Sequence, residues 1–289
     1  MDIIMIRIID TCHQINQLFD HSVFNYPRWE AYINSVYDHS AHIFKEEMDG
    51  YIQSGQYTFE RDFLPVLNAV YENPKLDILH NSFIEVTGHL SERVTGLFGK
   101  EPDIDIVLYL GLCNAAGWVT NINHNDTILL GVEKIIELDW TDVNSMYGLI
   151  CHELGHAYHG QYGVLKQEAA DDRQKYIWQL FTEGAAMYFE QALAGDFSYY
   201  HQDVNGWADW CGEHFRQILE DFDRDISGMK RYEQRYFGDW CDYYGHSDVG
   251  YYLGSRFVQH CMEKYEFDEL ICLPLDAVCE LYMDFVRAP

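Results

Sequence analysis

The chain has 289 residues, of which 48% are hydrophobic and 16% aromatic, enough to bury the core of one large domain or of two closely packed ones. Its formal net charge is −28, from 47 Asp and Glu against 19 Lys and Arg, and such a surface repels phosphate backbones and anionic lipids. Nucleic acids and anionic membranes are therefore excluded as expected partners.

The amino-terminal stretch from Met1 to Gln14 alternates apolar residues with Arg7 and Asp10. It lacks the clean hydrophobic run and small-residue cleavage site of a signal peptide. No later stretch reaches 18 uninterrupted apolar residues, so no membrane span is expected. The eight cysteines are scattered without a C-x-x-C pair, which indicates reduced thiols and a cytoplasmic protein.

Residues 1–100 are predicted to form an amino-terminal helical region. Pro27 is typical of the first turn of a helix. Residues 76–98 carry apolar side chains at helical spacing, which predicts buried stripes facing a core. These apolar positions are Ile78, Leu79, Phe83, Ile84, Val86, Leu90, Val94 and Leu97.

The run from Gly99 to Asp103 is the clearest break in the chain, and we place a domain boundary there. Beyond it, residues rich in Ile, Val and Leu predict a small sheet. The predicted strands are Ile104–Leu110, Gly117–Thr120 and Ile128–Ile136. Asn114 to Trp118 is either an edge that pairs with an extended substrate or an ordinary interior strand and turn.

The next segment contains the motif H-E-x-x-H at residues 152–156. Helical spacing continues on both sides of it, with Asp142 or Asn144 as N-cap and Gly160 as the C′ residue, which predicts one helix of about four turns. On such a helix His152 and His156 share one face and can bind a single Zn²⁺. Glu153 lies about 100° around the axis, where its carboxylate can act as general base.

The third ligand decides the class of site. A metzincin would continue with x-x-G-x-x-H, but here His159 occupies the glycine position and Tyr162 occupies the final histidine position. His159 lies about 10 Å along the helix from His152, too far for both to bind one ion. Glu183 is the better candidate, because it lies on a second amphipathic helical run, Ile177–Glu190, whose small residues allow close packing.

These residues resemble the gluzincins, metallopeptidases in which a downstream glutamate completes the zinc site. The segment E-G-A-A-M-Y at 183–188 is similar to the aminopeptidase-N branch, and residues 250–258 resemble a helix start in uncharacterised predicted zinc-dependent proteases of the same clan. The resemblance implies an α+β, predominantly helical zincin-like fold over residues 101–289, with a small mixed sheet before the motif helix. The aminopeptidase G-x-M-E-N strand, which holds a substrate's free amine, is not present.

The same resemblance places a tyrosine of the third segment at the site. Tyr251 is the first choice to support the oxyanion, with Tyr244 and Tyr252 as alternatives. The expected activity is zinc-dependent peptide hydrolysis; an inactive zincin-like binding or regulatory protein and a non-peptide metallohydrolase are the alternatives. Trp207, Trp210 and Trp240 either line a peptide groove or belong to a core. The oligomeric state is left open.

Overall fold

The computed structural model of the chain describes residues 5–38, 40–230 and 233–288, so the first four residues of the amino-terminal stretch lie outside it. The protein has an α+β fold with many helices and a small mixed sheet, as predicted. The chain forms two compact units, Met1–Glu153 and Leu154–Pro289. The boundary expected near residue 100 falls inside the first unit.

A four-stranded sheet forms the centre of the first unit. Its strands are β1 (Ile6–Asp10), β4 (Ile104–Tyr109), β5 (Gly117–Ile122) and β6 (Asn125–Gly131), in the order β1-β4-β6-β5. Strand β4 is parallel to both of its neighbours and every one of its residues is buried, the pattern expected for an interior parallel strand. Strand β5 is antiparallel to β6 and forms one edge of the sheet.

Strands β5 and β6 are joined by a two-residue turn. Asn123 and His124 both have positive φ, 50° and 72°, as a type I′ turn requires. The predicted strand Ile128–Ile136 is wrong in its second half, because the chain turns into helix α7 (Val132–Glu137). The apolar residues of α7 are three and four positions apart, as in a helix. In so short an apolar run, this spacing does not exclude a buried strand.

Helices and short turns surround this sheet. They are α1 (Cys12–Ile15), a 3₁₀ turn (Asn16–Leu18), a hairpin of β2 (Phe19–Asp20) and β3 (Val23–Phe24), α2 (Tyr26–Val36), α3 (Ala41–Gln53), a π turn (Phe59–Phe63), α4 (Leu64–Asn68), α5 (Pro74–Thr87) and α6 (Leu90–Phe98). Pro27 lies in the first turn of α2, as predicted. Ile78, Ile84 and Leu97 were wrongly assigned to the core, since each is 52% exposed on the outer face of its helix.

The motif helix, α8, runs from Val143 to Tyr162 without interruption. Asp142 caps it, because its carboxylate accepts hydrogen bonds from the backbone N–H groups of Asn144 and Ser145. Gly160 is not the C′ residue, because two further residues continue the helix. The cap therefore fixes where the helix begins, at Val143, nine residues before the first histidine of the motif.

The second unit is built from helices. After the carboxyl-terminal part of α8 they are α9 (Asp172–Ala194), α10 (Trp207–Glu213), α11 (Phe215–Asp225), α12 (Val249–Cys261), α13 (Phe267–Leu270) and α14 (Leu275–Arg287). Helices α9 and α12 approach closely at Gly184 and Gly254. None of the helices in the described part of the chain combines the length and apolarity that a bilayer crossing requires.

Replacing Gly184 tests the closest helix contact. A β-carbon there would collide with the carbonyl of Gly254, so Gly184→Ala should lower the free energy of unfolding by about 1–3 kcal/mol. The control is Gly96→Ala, inside α6, where a β-carbon meets nothing within 4 Å and about 0.5–1 kcal/mol of stabilisation is expected. Urea unfolding followed by circular dichroism measures both, and equal stability of the two variants would contradict the packing described.

Candidate metal centre

Three predicted ligand side chains converge. One ligand atom each from His152, His156 and Glu183 lies within 4.8 Å of the others, and the His156 Nε2 to Glu183 Oε2 distance is 3.2 Å. Two ligands of a tetrahedral zinc ion lie about 3.3 Å apart, because each is about 2 Å from the metal. Two imidazoles and a carboxylate are also the donor set of catalytic zinc sites. The residues present therefore fit the predicted ion.

Small residues bring Glu183 next to His156. A β-carbon on Gly155 would lie 2.8 Å from the Cα of Ala186, so α8 and α9 pack almost backbone to backbone at this point. Glu183 is one turn before Ala186 on the face that meets α8. The glycine between the motif glutamate and the second histidine thus sets the helix spacing at which both ligands reach one another.

Glu153, the predicted base, is 8% exposed and lies beside the edge strand. A β-carbon on Gly117, the first residue of β5, would lie 2.9 Å from Glu153 Cγ, 3.2 Å from Glu153 Oε1 and 2.9 Å from Leu149 Cδ1. Any side chain at position 117 would therefore press on the carboxylate. Glycine leaves that space to Glu153.

The pairing of β5 leaves one row of its backbone groups unpaired with β6. Ile122 and Asn125 flank the two-residue turn, so they form a hydrogen-bonded pair, and hydrogen-bonded pairs then alternate along an antiparallel ladder. By this alternation the N–H and C=O groups of Gly117, Val119 and Asn121 face away from β6. The predicted edge segment, residues 114–118, thus enters the edge strand only at its last two residues.

A buried glutamate holds the loop that leads into β5. The carboxylate of Glu133 accepts hydrogen bonds from the backbone N–H groups of Gly111 and Cys113, at 2.9 and 3.0 Å. Its burial raises the pKa of Glu133 to about 7, although these backbone donors oppose the shift. Sequence analysis missed this residue. The available signal was a charged pair, Glu133 and Lys134, within a run of Ile, Leu and Val.

His159 does not join the ligand group. Its imidazole is fully buried against the rings of Trp178 and Phe181, with centroids 6.2 and 5.7 Å away. Burial, together with the neighbouring His156, lowers the pKa of His159 to about 4. The side chain is therefore neutral at physiological pH and belongs to the helix core, in agreement with its distance along α8 from His152.

The three candidate tyrosines lie in different surroundings. Tyr251 is half-buried in the first turn of α12, with its ring 5.8 Å from that of Phe237. Tyr252 stacks on Tyr200, with centroids 5.2 Å apart, and Tyr244 is 63% exposed. The helix that carries Tyr251 packs on α9 directly beside Glu183, through Gly254 and Gly184. Support of an oxyanion by Tyr251 stays a prediction.

The tryptophans predicted as groove or core lie in different surroundings. Trp207 is 6% exposed and its indole N–H donates to the Ser247 carbonyl, so it is a core residue. Trp240 is 58% exposed. Trp210 is stacked between two imidazoles, those of His214 and His246, at 4.2 and 3.8 Å. A peptide groove lined by these rings stays a prediction.

Comparison with known proteins adds little. No family model matches the chain, and no curated protein matches it. A solved structure, "the putative lipoprotein from Colwellia psychrerythraea", is similar over 96% of this chain and 52% of that chain, with 13% identity and a TM-score of 0.41. The chain thus spans about half the length of that protein, and we draw no argument from so distant a likeness.

Metal content tests the ligand assignment. The purified protein should carry close to one Zn²⁺ per chain, because the donor set matches the preference of the ion. Glu183→Ala should weaken zinc affinity by about 100-fold or more, since the loss of even an outer partner of a ligand costs roughly 10- to 100-fold. Glu168→Ala, an exposed control, should change nothing. Zinc content is measured by elemental analysis after dialysis against a zinc buffer. Equal zinc content in the two variants would show that Glu183 is not a ligand.

Proposed function

We propose that this protein is a zinc-dependent peptidase in which His152, His156 and Glu183 hold the metal and Glu153 is the general base. The observation that carries the proposal is the convergence of the two histidines and the glutamate, with an adjacent buried carboxylate that lies against Gly117, the first residue of the edge strand. A structural zinc site has no need of that carboxylate or of an edge strand beside it.

A zinc ion held there would polarise the scissile carbonyl and acidify a bound water. Glu153 would take the proton of that water and later deliver it to the leaving amine. Its low exposure suits this role, because a carboxylate screened from bulk water exchanges its proton with the substrate rather than with solvent. Tyr251 would add a hydrogen bond to the oxyanion.

The substrate we propose is an extended peptide paired with β5. The outward N–H and C=O groups of Gly117 and Val119 would hydrogen-bond its backbone, which holds the chain across the site in one register. The net charge of −28 favours neutral or basic peptides. The sequence has no G-x-M-E-N strand to hold a substrate's free amine. We therefore expect peptides with an acetylated amino terminus to be cleaved as well.

Glu153→Gln tests the base. The amide keeps the size of the side chain but cannot accept the proton, so zinc content should be unchanged while hydrolysis of a lysine-rich peptide library falls by about 100-fold or more. Glu168→Gln is the matched control for the loss of one carboxylate. Retained turnover in Glu153→Gln would contradict the mechanism. A wild-type protein that holds zinc and cleaves no peptide would instead favour the binding or regulatory alternative.

Gly117→Ala tests the space beside the base. The new methyl group would displace the Glu153 carboxylate without touching a ligand, so zinc content and fold should persist while kcat falls by roughly 10- to 100-fold. The measurement is kcat and KM on one peptide, with zinc content and the circular dichroism spectrum as checks. Unchanged kcat would show that the carboxylate does not depend on the glycine.

A further inference from the structure

A second candidate site lies in the second unit, among helices α11, α12 and α14. It is a cavity of about 270 Å³. Its apolar wall consists of Phe215, Leu219 and Phe285, of which Leu219 and Phe285 are buried. None of the proposed metal ligands lines it, so the inference below does not depend on the proposed peptidase activity.

Two arginines line the same cavity, although acidic residues outnumber Lys and Arg in this chain by 47 to 19. Arg216 donates to the Glu220 carboxylate and to the Ala288 carbonyl. The Arg256 guanidinium donates to Gln259 Oε1 at 3.0 Å and forms no ion pair with a carboxylate of the described residues. Most of its five N–H donors therefore remain available to a ligand.

A histidine completes the polar side of the cavity. His260 follows Arg256 by one helical turn on α12, and its ring lies 5.6 Å from that of Phe285. Its Nε2 is screened from solvent and makes no hydrogen bond within the described part of the protein. Because water cannot reach this nitrogen, we count the imidazole as part of the cavity wall and not among the donors to a ligand.

We propose that this cavity binds a small amphipathic carboxylate, such as an aryl-alkanoate or a short-chain fatty acid. The apolar body packs on Phe215, Leu219 and Phe285, and the carboxylate accepts hydrogen bonds from the Arg256 guanidinium. A planar guanidinium can donate two parallel hydrogen bonds to the two oxygens of a carboxylate, and it carries the opposite charge. Glu263 at the cavity wall repels a second negative charge, so the site selects monoanions.

The test titrates the full-length protein with 4-phenylbutyrate, 4-phenyl-1-butanol and acetate, followed by saturation-transfer NMR. The carboxylate with an apolar body should bind about tenfold or more tightly than either the alcohol or acetate. Equal affinity for the alcohol, or no saturable binding of 4-phenylbutyrate, would overturn the proposal. Because a carboxylate also binds zinc, the titration is repeated with Glu183→Ala; loss of binding there would place the ligand at the metal and overturn the proposal as well.

Three variants locate the charge recognition. Arg256→Gln should weaken 4-phenylbutyrate binding by about tenfold, and Glu263→Gln should strengthen it a few-fold, since each changes one charge at the cavity. Arg61→Gln, at an exposed arginine of the first unit, makes the same change in net charge and should leave affinity within about twofold. If Arg256→Gln and Arg61→Gln lost the same affinity for 4-phenylbutyrate, the effect would come from the overall charge of the protein, and the proposed site would be wrong. Poor folding would lower the affinity of a variant. The increase in affinity expected for Glu263→Gln therefore cannot be produced by a folding defect.

Discussion

The absence of side chains where helices cross is the constraint on which the candidate centre depends. Gly155 lets α8 approach the backbone of α9, and the pair Gly184 and Gly254 does the same for α9 and α12. An ordinary helix pair stands 8–10 Å apart, whereas glycine and alanine allow a closer approach. This close approach brings the Glu183 carboxylate to 3.2 Å from the His156 imidazole.

A related constraint operates in the first unit, around Glu153, the proposed base. Gly117 leaves room for the Glu153 carboxylate, and Glu133 fixes the loop just before that glycine through two backbone hydrogen bonds. A buried carboxylate is costly unless its oxygens are hydrogen-bonded, and the backbone N–H groups of Gly111 and Cys113 supply those bonds. Here it orders the loop that leads into the edge strand, which begins at Gly117 beside Glu153.

The sequence predicted the motif helix, a cap at Asp142 or Asn144, of which the structure has Asp142, and the glutamate on the second helix, because these features are local or follow from helical spacing. Strands β4 and β5 were predicted for the same reason. The end of β6 was missed, since a short apolar run has no distinguishing period. Whether Ile78 is buried, and whether Gly117 leaves room for Glu153, depends on which element packs against each residue. The periodicity of the sequence does not give this information. The pairing of β1 with β4 was missed for the same reason.

That last pairing bears on the order in which the sheet is assembled. Arg7 on β1 is bonded to Asp105 on β4 across 98 positions of the chain, and closing so long a loop carries a large entropic cost. The hairpin of β5 and β6 closes through two residues, a process that takes roughly 1–10 μs in isolated hairpins. Non-local parallel pairing is slower. The strand beside Glu153 can thus pair early, and the β5–β6 edge of the sheet would form before the far strand β1 is in place.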